Sequence, residues 1–316
     1  MDHGGHGMMM DLPPFTLGRG LAWSADPFFL VACLLGLALY GWGVVRLVRR
    51  GDKWPVGRTV AFVSGVLSVA LMMCTKLNDY GMVMFSVHMV QHMVISMVSP
   101  ILLLLGAPIT LALRALPPAG RGRKGLRELL LMLLHSRYMR IITHPAFTIP
   151  LFIASLYALY FTPLFDTLMS SQAGHIGMMV HFLAVGVVFF WPIMGVDPGP
   201  HRPGYLMRML ELFAGMPFHA FFGIALMMAS SPMVETFKNP PASLGIDALS
   251  DQNAAGGIAW AFSEVPSVLV LLALLFQWYA SEERQARRSD RAADRDGDKE
   301  LAAYNAYLAS LNTRGG

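Results

Sequence analysis

The sequence has 316 residues, of which 55% are hydrophobic and 14% are charged. Charged residues make up about a quarter of a soluble globular domain, so this composition excludes such a domain and indicates an integral membrane protein. The sequence pI is about 9.2. Because the basic residues are concentrated on one side of the predicted membrane, this value reflects topology, and we expect no nucleic-acid partner.

The apolar residues fall into seven blocks of about 20 residues, the length that an α-helix needs to cross about 30 Å of hydrocarbon. They do not alternate with polar residues at a period of two, which excludes the strands of a membrane barrel. The sequence therefore predicts an all-α integral membrane protein with seven transmembrane helices. The predicted spans are Pro27–Val48, Val56–Thr75, Met82–Leu105, Phe147–Phe165, Gly174–Met194, Leu206–Ser230 and Ala254–Ala280.

The basic residues predict the orientation, since cytoplasmic loops carry an excess of Lys and Arg. Of the 24 Lys and Arg residues, only Arg19, Lys76 and Lys238 fall in segments on the side of the N-terminus. We therefore expect the N-terminus to lie outside and the C-terminus to be cytoplasmic. An odd number of spans likewise places the two termini on opposite sides of the membrane.

The chain is predicted to contain an extracytoplasmic tail (residues 1–22), a membrane domain (residues 23–281) and a charged cytoplasmic tail (residues 282–316). Within the membrane domain, residues 125–142 are too charged to cross and predict an amphipathic helix on the cytoplasmic face. Residues 232–253 predict an outer loop.

One apolar run, Met82–Leu116, is too long for a single straight helix. Pro100, Gly106 and Pro108 predict where this run bends or leaves the membrane, because proline removes a backbone hydrogen bond. We therefore expect an irregular third span.

Histidines cluster at one depth of the predicted helices. His88 and His92 lie in the outer half of the third span, four residues apart and hence on one helix face. His175 and His181 lie at a matching depth in the fifth span but about 120° apart, at 100° per residue, and His219 lies near the middle of the sixth. Ionisable residues inside a bilayer are costly and indicate function, so we expect a metal or cofactor role.

Methionines share this distribution. Met84 lies one turn from His88, Met178 lies one turn from His181, and most of the 23 methionines fall outside or in the outer half of the membrane. Methionines that only fill gaps in the hydrophobic core would show no such bias toward one side of the membrane. Imidazole with thioether is a soft ligand set that favours copper, and Cu(I) in particular. The predicted metal ligands are His88, His92, His181, His175, His219, Met84, Met178, His3 and His6.

Other functions stay open. A single haem between His92 and His181 would give a membrane electron carrier, and a copper transporter would need ligands through the inner half as well. A scaffold that binds no metal is a further alternative. Because the sequence has no nucleophile beside a base, phosphate loop or zincin motif, we expect no enzymatic activity. Cys33 and Cys74 lie in different spans, and we expect two buried inert thiols in preference to a disulfide.

The N-terminal sequence MDHGGHGMMMD is rich in metal ligands. A free amine followed by His3 can bind Cu(II) through a square-planar set of nitrogens, while His6 and Met8–Met10 offer softer ligands for Cu(I). We expect this tail to capture copper; the alternative is a tail without a function. Removal of residues 2–10 is then expected to weaken function at low copper and to spare it at high copper.

The stretch FSVHMVQHMVISMVSPILLLLGAP, together with HFLAVGVVFFWPIMGVDP, MPFHAFFGIALM and SADPFF, resembles the multi-spanning, seven-helix CtaG family of cytochrome c oxidase assembly factors. The likeness covers about residues 23–279 and neither tail. It implies a role in the maturation of haem–copper oxidases through delivery of copper, and it implicates His88, His92, His181 and His219, with Asp26 as a weaker candidate. The expected partners are oxidase subunits, an extracytoplasmic copper chaperone and membrane lipid.

Overall fold

The computed structural model describes residues 12–120, 123–200, 203–296 and 299–314. Over these ranges the chain is α-helical, with two short 3-10 turns, one isolated bridge between Trp23 and Thr75, and no strand. This confirms the all-α fold class. His3, His6 and the rest of the tail up to residue 11 lie outside the described residues.

The helices are numbered here in chain order. They are α1 (Leu17–Gly20), α2 (Pro27–Arg49), α3 (Val56–Met73), α4 (Leu77–Gly81), α5 (Phe85–Met93), α6 (Ser99–Leu105), α7 (Pro108–Ala115), α8 (Leu126–Leu134), α9 (Arg137–Ile142), α10 (Pro145–Tyr160), α11 (Leu164–Met169), α12 (Gln172–Met194), α13 (Tyr205–Met228), α14 (Ala248–Asp296) and α15 (Lys299–Arg314).

Within the described ranges, six helical stretches are long and apolar enough to cross a membrane. They are α2, α3, the run Phe85–Ala115 that contains α5 to α7, α12, α13 and the part of α14 from Ala248 to Arg291. The remaining predicted span is shorter than expected, because α10 has 16 residues and ends at Tyr160. Pro163 lies three residues further on, and the position before a proline disfavours helical geometry. The fold is that of a helical membrane protein.

The third span is irregular, as predicted. A π-helical turn, Val94–Val98, interrupts it just before Pro100, whose ring would clash with a carbonyl of the preceding turn of a regular helix. A second break follows at Ala107, which has a left-handed φ of 50°. The next helix, α7, is capped by Asp197, which accepts hydrogen bonds from the backbone N–H groups of Ile109 (3.1 Å) and Thr110 (2.7 Å).

The amphipathic segment predicted for residues 125–142 forms two helices, α8 and α9, because Ser136 interrupts it and caps α9 by accepting a hydrogen bond from the Met139 N–H. At its start, Glu128 accepts hydrogen bonds from the backbone N–H groups of Ala119 and Gly125, which lower the pKa of that carboxyl. The predicted loop of residues 232–253 is shorter than expected, since α14 already begins at Ala248.

The chain divides into two compact units, one up to Val270 and one from Leu271. The second unit contains the C-terminal half of α14 together with α15. It includes an ion pair of 2.6 Å between Arg287 and Glu283.

Candidate metal site

Four histidines from three helices lie next to one another inside the first unit, and we call them the histidine row. His175 of α12 lies beside His88 of α5, with ring centroids 6.3 Å apart. His92, one turn after His88, lies beside His219 of α13, with ring centroids 6.4 Å apart. Their exposed fractions are between 0% and 3%. The order along the row is therefore His175, His88, His92 and His219.

The ring nitrogens of the row are short of hydrogen-bond partners. Among the described residues, both nitrogens of His88, Nδ1 of His92 and Nε2 of His175 and His219 have none. The Gly81 carbonyl lies near His88 without making a hydrogen bond of good geometry. A buried polar group without a partner costs about 1–3 kcal/mol, so native proteins rarely keep one without a reason. Neutral imidazole nitrogens are common metal ligands.

Aromatic rings enclose the row. The His88 ring meets Phe165 edge to face at a centroid distance of 5.0 Å, and His92 meets Phe182 in the same way at 4.0 Å. Tyr160 lies against both histidines. Two voids of about 10 Å³ adjoin His92 and His219, and each has room for no more than about one water molecule. The part of the row formed by His92 and His219 is therefore nearly dry.

The two predicted methionine ligands are buried, Met84 at 7% and Met178 at 2% exposure. Met84 precedes His88 by one turn, and its carbonyl accepts the His88 N–H at 3.0 Å. Met178 follows His175 by three residues, which places both on the buried side of α12.

His181, by contrast, is exposed on α12, and its Nε2 lies 2.9 Å from the Ser155 hydroxyl. As the 120° offset predicted, His175 and His181 do not face the same centre, and His175 is the one inside. The role of His181 that the resemblance implies stays a prediction. In the part of the chain with described positions, no three His, Cys, Asp or Glu side chains form a preformed metal site, so the row consists of pairs.

A cavity of about 520 Å³ reaches His175 from the surface, and we call it the His175 cavity. Two carboxylates, Asp26 and Asp79, and two thioethers, Met82 and Met169, contribute to its wall. The remaining lining residues are Ser24, Ala25, Pro27, Asn78, Val83, Ser170, Ser171, Gln172, Thr236, Asn239 and Pro241. The cavity is the route by which a ligand could approach the row.

Asp26, which the resemblance implicates, has a clear structural role. Its Oδ1 caps α2 by accepting the backbone N–H groups of Phe28 (2.9 Å) and Phe29 (3.2 Å). Its Oδ2 accepts a hydrogen bond of 3.3 Å from Gln172 at the start of α12. Asp26 therefore fixes two helix starts at the His175 cavity.

Asp251 is a functional candidate that the sequence did not reveal. It lies in α14 and caps α5, accepting the Phe85 N–H at 2.6 Å, the Ser86 N–H at 3.3 Å and the Ser86 hydroxyl. Because α5 contains His88 and His92, Asp251 positions half of the row. The two partners are 166 residues apart in the chain, so no local pattern could have indicated the contact.

Removing this cap is expected to disturb the row. Asp251→Ala should lower the free energy of unfolding by about 0.5–2 kcal/mol, the usual range for a lost N-cap, and should also weaken copper binding because the start of α5 moves. Thermal unfolding and copper titration of the purified protein measure the two effects.

Asp247→Ala is the matched control. Asp247 is exposed and accepts the Ser250 N–H at 2.9 Å, near the start of α14. The control should lose stability but keep its copper affinity. Equal copper affinities for the two variants would contradict a positioning role for Asp251.

Other buried polar side chains lie outside the row, and three of them bear on the sequence predictions. Cys33 and Cys74 are free and buried, as predicted. Glu211 of α13 is 2% exposed, and neither carboxylate oxygen has a hydrogen-bond partner among the described residues. The sequence already offered an indication of this residue, because Glu211 is an isolated acidic residue in the apolar run LELFAGM. The periodicity of the helix alone did not single it out.

Comparison with known proteins relates the chain to one family. The family model described as cytochrome c oxidase caa3 assembly factor, Caa3_CtaG, matches residues 38–281. Similar proteins include an uncharacterized protein of Mycobacterium bovis, 47% identical over 309 residues, and one of Mycobacterium leprae, 46% identical over 312 residues. These alignments cover 96% and 97% of this chain but 46% and 47% of the relatives, so the chain spans about half the length of the curated relatives it matches. No solved structure matches the chain.

Proposed function

The chain belongs to the Caa3_CtaG family of cytochrome c oxidase caa3 assembly factors, and from this premise we propose that it binds Cu(I) at the histidine row and delivers it to the oxidase. An assembly factor interacts with the oxidase that it matures, so haem–copper oxidase subunits are the proposed acceptors. An extracytoplasmic copper chaperone is a second proposed partner. The mycobacterial relatives support a location in a bacterial plasma membrane.

We further propose that α10 is a seventh span, with the N-terminus outside and the C-terminus in the cytoplasm. Its 16 residues rise about 24 Å, less than a typical hydrocarbon core, and a short helix is accommodated by local thinning of the bilayer. An odd number of spans puts the basic connections on one side. In this orientation the His175 cavity opens to the outside, where the oxidase would receive its copper.

The single observation that supports copper is the separation of the ring centroids in two buried histidine pairs that have unpartnered nitrogens. A metal held between two imidazoles at about 2 Å from each nitrogen separates those nitrogens by about 4 Å. Each ring centroid lies about one ring radius beyond its nitrogen. The centroid separation expected for a metal held in this way is therefore close to the observed 6.3 and 6.4 Å. Cu(I) accepts two soft ligands in this way and needs no preformed cage of three or more. Buried thioethers nearby suit the same ion.

Haem is less well supported than copper. A haem bridging His92 and His181 would need a slot between the two rings, yet the voids at His92 measure about 10 Å³ and the His181 ring is engaged with Ser155. A transporter would need a continuous path toward the inner side, yet the void beyond His219, which Met97, Met216 and Phe189 help to line, measures only about 10 Å³. Delivery on the outer side is therefore the better proposal.

Gene deletion tests this function. Cells without the protein should assemble oxidase that contains haem but has lost most of its copper and activity, with partial recovery in added copper. The wild-type gene should restore copper to the oxidase, whereas the His88→Ala/His92→Ala gene should not. Unchanged copper content and activity in the deletion strain would reject the proposal.

A further inference from the structure

A short 3-10 turn in the connection between α13 and α14 covers His88. It consists of Glu235–Phe237, and we call it the Phe237 turn. The Phe237 ring is 4% exposed, and its centroid lies 5.8 Å from that of His88. It stacks on Phe85, the first residue of α5, at 4.8 Å and lies 5.5 Å from Phe165. The ring therefore belongs to the packing around His88, although it comes from a connection between two spans.

The same turn contributes to the wall of the His175 cavity. Thr236 and Asn239 line this cavity, whereas Phe237, which lies between them in the chain, does not. One side of the segment therefore faces the cavity, and the Phe237 ring faces His88. Displacing the turn would remove the material that separates the cavity from His88.

One carboxylate holds the turn in place. Asp166 of α11 accepts hydrogen bonds from the backbone N–H (2.8 Å) and the hydroxyl (2.6 Å) of Thr236, and we call this pair of bonds the latch. The residue before Asp166 is Phe165, which is fully buried and meets the His88 ring edge to face at 5.0 Å. The latch therefore joins the turn to a helix that itself packs on His88.

The histidine row is closed while the turn stays in place. Both nitrogens of His88 and Nε2 of His175 are buried, so an ion in the cavity does not reach them without a movement of the protein. The spans resist such a movement, since a Cβ atom at Gly186 of α12 would lie 2.2 Å from the Ser96 carbonyl oxygen. The Phe237 turn has only three residues and is latched by one side chain, and segments with few contacts open at the lowest cost in free energy.

We propose that the Phe237 turn is the gate of the histidine row. When the latch breaks and the turn moves away, Phe237 leaves His88, and Cu(I) passes from the His175 cavity to the row. A bond forms between Cu(I) and a neutral imidazole nitrogen of His88 while a bond to a water ligand breaks, so no proton or electron is transferred. The inference rests on the proposed copper function of the row.

A gate of this kind changes rates and not affinity. The latch closes the turn over the empty row and over the loaded row alike, so breaking it shifts neither state relative to the other. Copper should then enter and leave faster by the same factor.

Asp166→Ala breaks the latch. In full-length protein in lipid nanodiscs, the rate of Cu(I) incorporation and the rate of Cu(I) loss to a chelator should both rise about tenfold, because two hydrogen bonds are lost. Asp247→Ala is the matched control, since Asp247 lies in the same connection and accepts the backbone N–H and the hydroxyl of Ser250. Its two rates should stay within about twofold of the wild type.

A cross-link tests the opposite change. Asp166→Cys/Thr236→Cys places thiols at two half-buried positions that a short bis-thiol reagent can join, whereas the native Cys33 and Cys74 are buried. The cross-linked variant should take up and release Cu(I) at least tenfold more slowly than wild-type protein treated with the same reagent.

The outcomes separate the gate from the copper site. Wild-type rates in the cross-linked variant, equal rates for Asp166→Ala and Asp247→Ala, or an altered copper affinity at unchanged rates in Asp166→Ala would overturn the gate and leave the copper function of the row intact. A wild-type protein that retains no copper would overturn the proposed function, and the gate with it.

Discussion

The His88→Ala/His92→Ala variant is expected to lose at least nine-tenths of the copper that the purified wild-type protein retains. These residues form the middle of the row, and each pairs with a histidine of another helix, His88 with His175 and His92 with His219. Removing both leaves no imidazole pair. The measurement is the copper content per protein after removal of loosely bound metal, at both low and high copper supply.

Two controls separate loss of ligands from loss of structure. Truncation of buried rings leaves voids that destabilise a protein by several kcal/mol, so a His88→Phe/His92→Phe variant, which leaves no void and removes the nitrogens, should lose copper equally. The second control is His181→Ala, which removes an exposed histidine bonded to Ser155 and should keep its copper. Full copper retention by the phenylalanine variant would rule out the row as the binding site.

The contrast between His175 and His181 shows what periodicity can decide. The four-residue spacing of His88 and His92 placed both on one face, because that relation is local to a helix. The offset between His175 and His181 indicated that one of them faces away, but not which one. Gly186 could have indicated that His175 is the residue that faces inward. It lies 11 residues after His175 and hence within about 20° of it around the helix, at 100° per residue. A small residue on that face is typical of close helix packing in membranes.

Other parts of the site depend on contacts between distant residues. Asp251 caps α5 from α14, and Asp197 caps α7 across 87 or more residues. In both cases the residue that precedes the capped helix makes no side-chain capping hydrogen bond of its own. The local sequence therefore gives no indication of the cap. The His175 cavity is likewise built from four separate stretches of chain. Composition predicted the membrane fold, but only tertiary packing defines this cavity.

Gly186→Ala is expected to be among the most damaging single substitutions in the chain. A Cβ atom at this position would lie 2.2 Å from the backbone carbonyl oxygen of Ser96 and 2.6 Å from Pro100. Ser96 belongs to the π-helical turn that follows His92, so relief requires α12 to move away from that turn. Such overpacking costs about 1–3 kcal/mol or more, and because α12 contains His175, the shift should also separate His175 from His88.

Gly177→Ala is the matched control on the same helix, since a Cβ atom there would meet nothing within 4 Å. Alanine is a better helix former than glycine by about 0.5–1 kcal/mol, so the control should be as stable as the wild type or slightly more stable. The midpoint of thermal unfolding should therefore fall for Gly186→Ala and not for Gly177→Ala, and copper content should fall with it. Equal unfolding midpoints and copper contents for the two variants would show that the close contact between α12 and the π-helical turn does not hold the histidine row together.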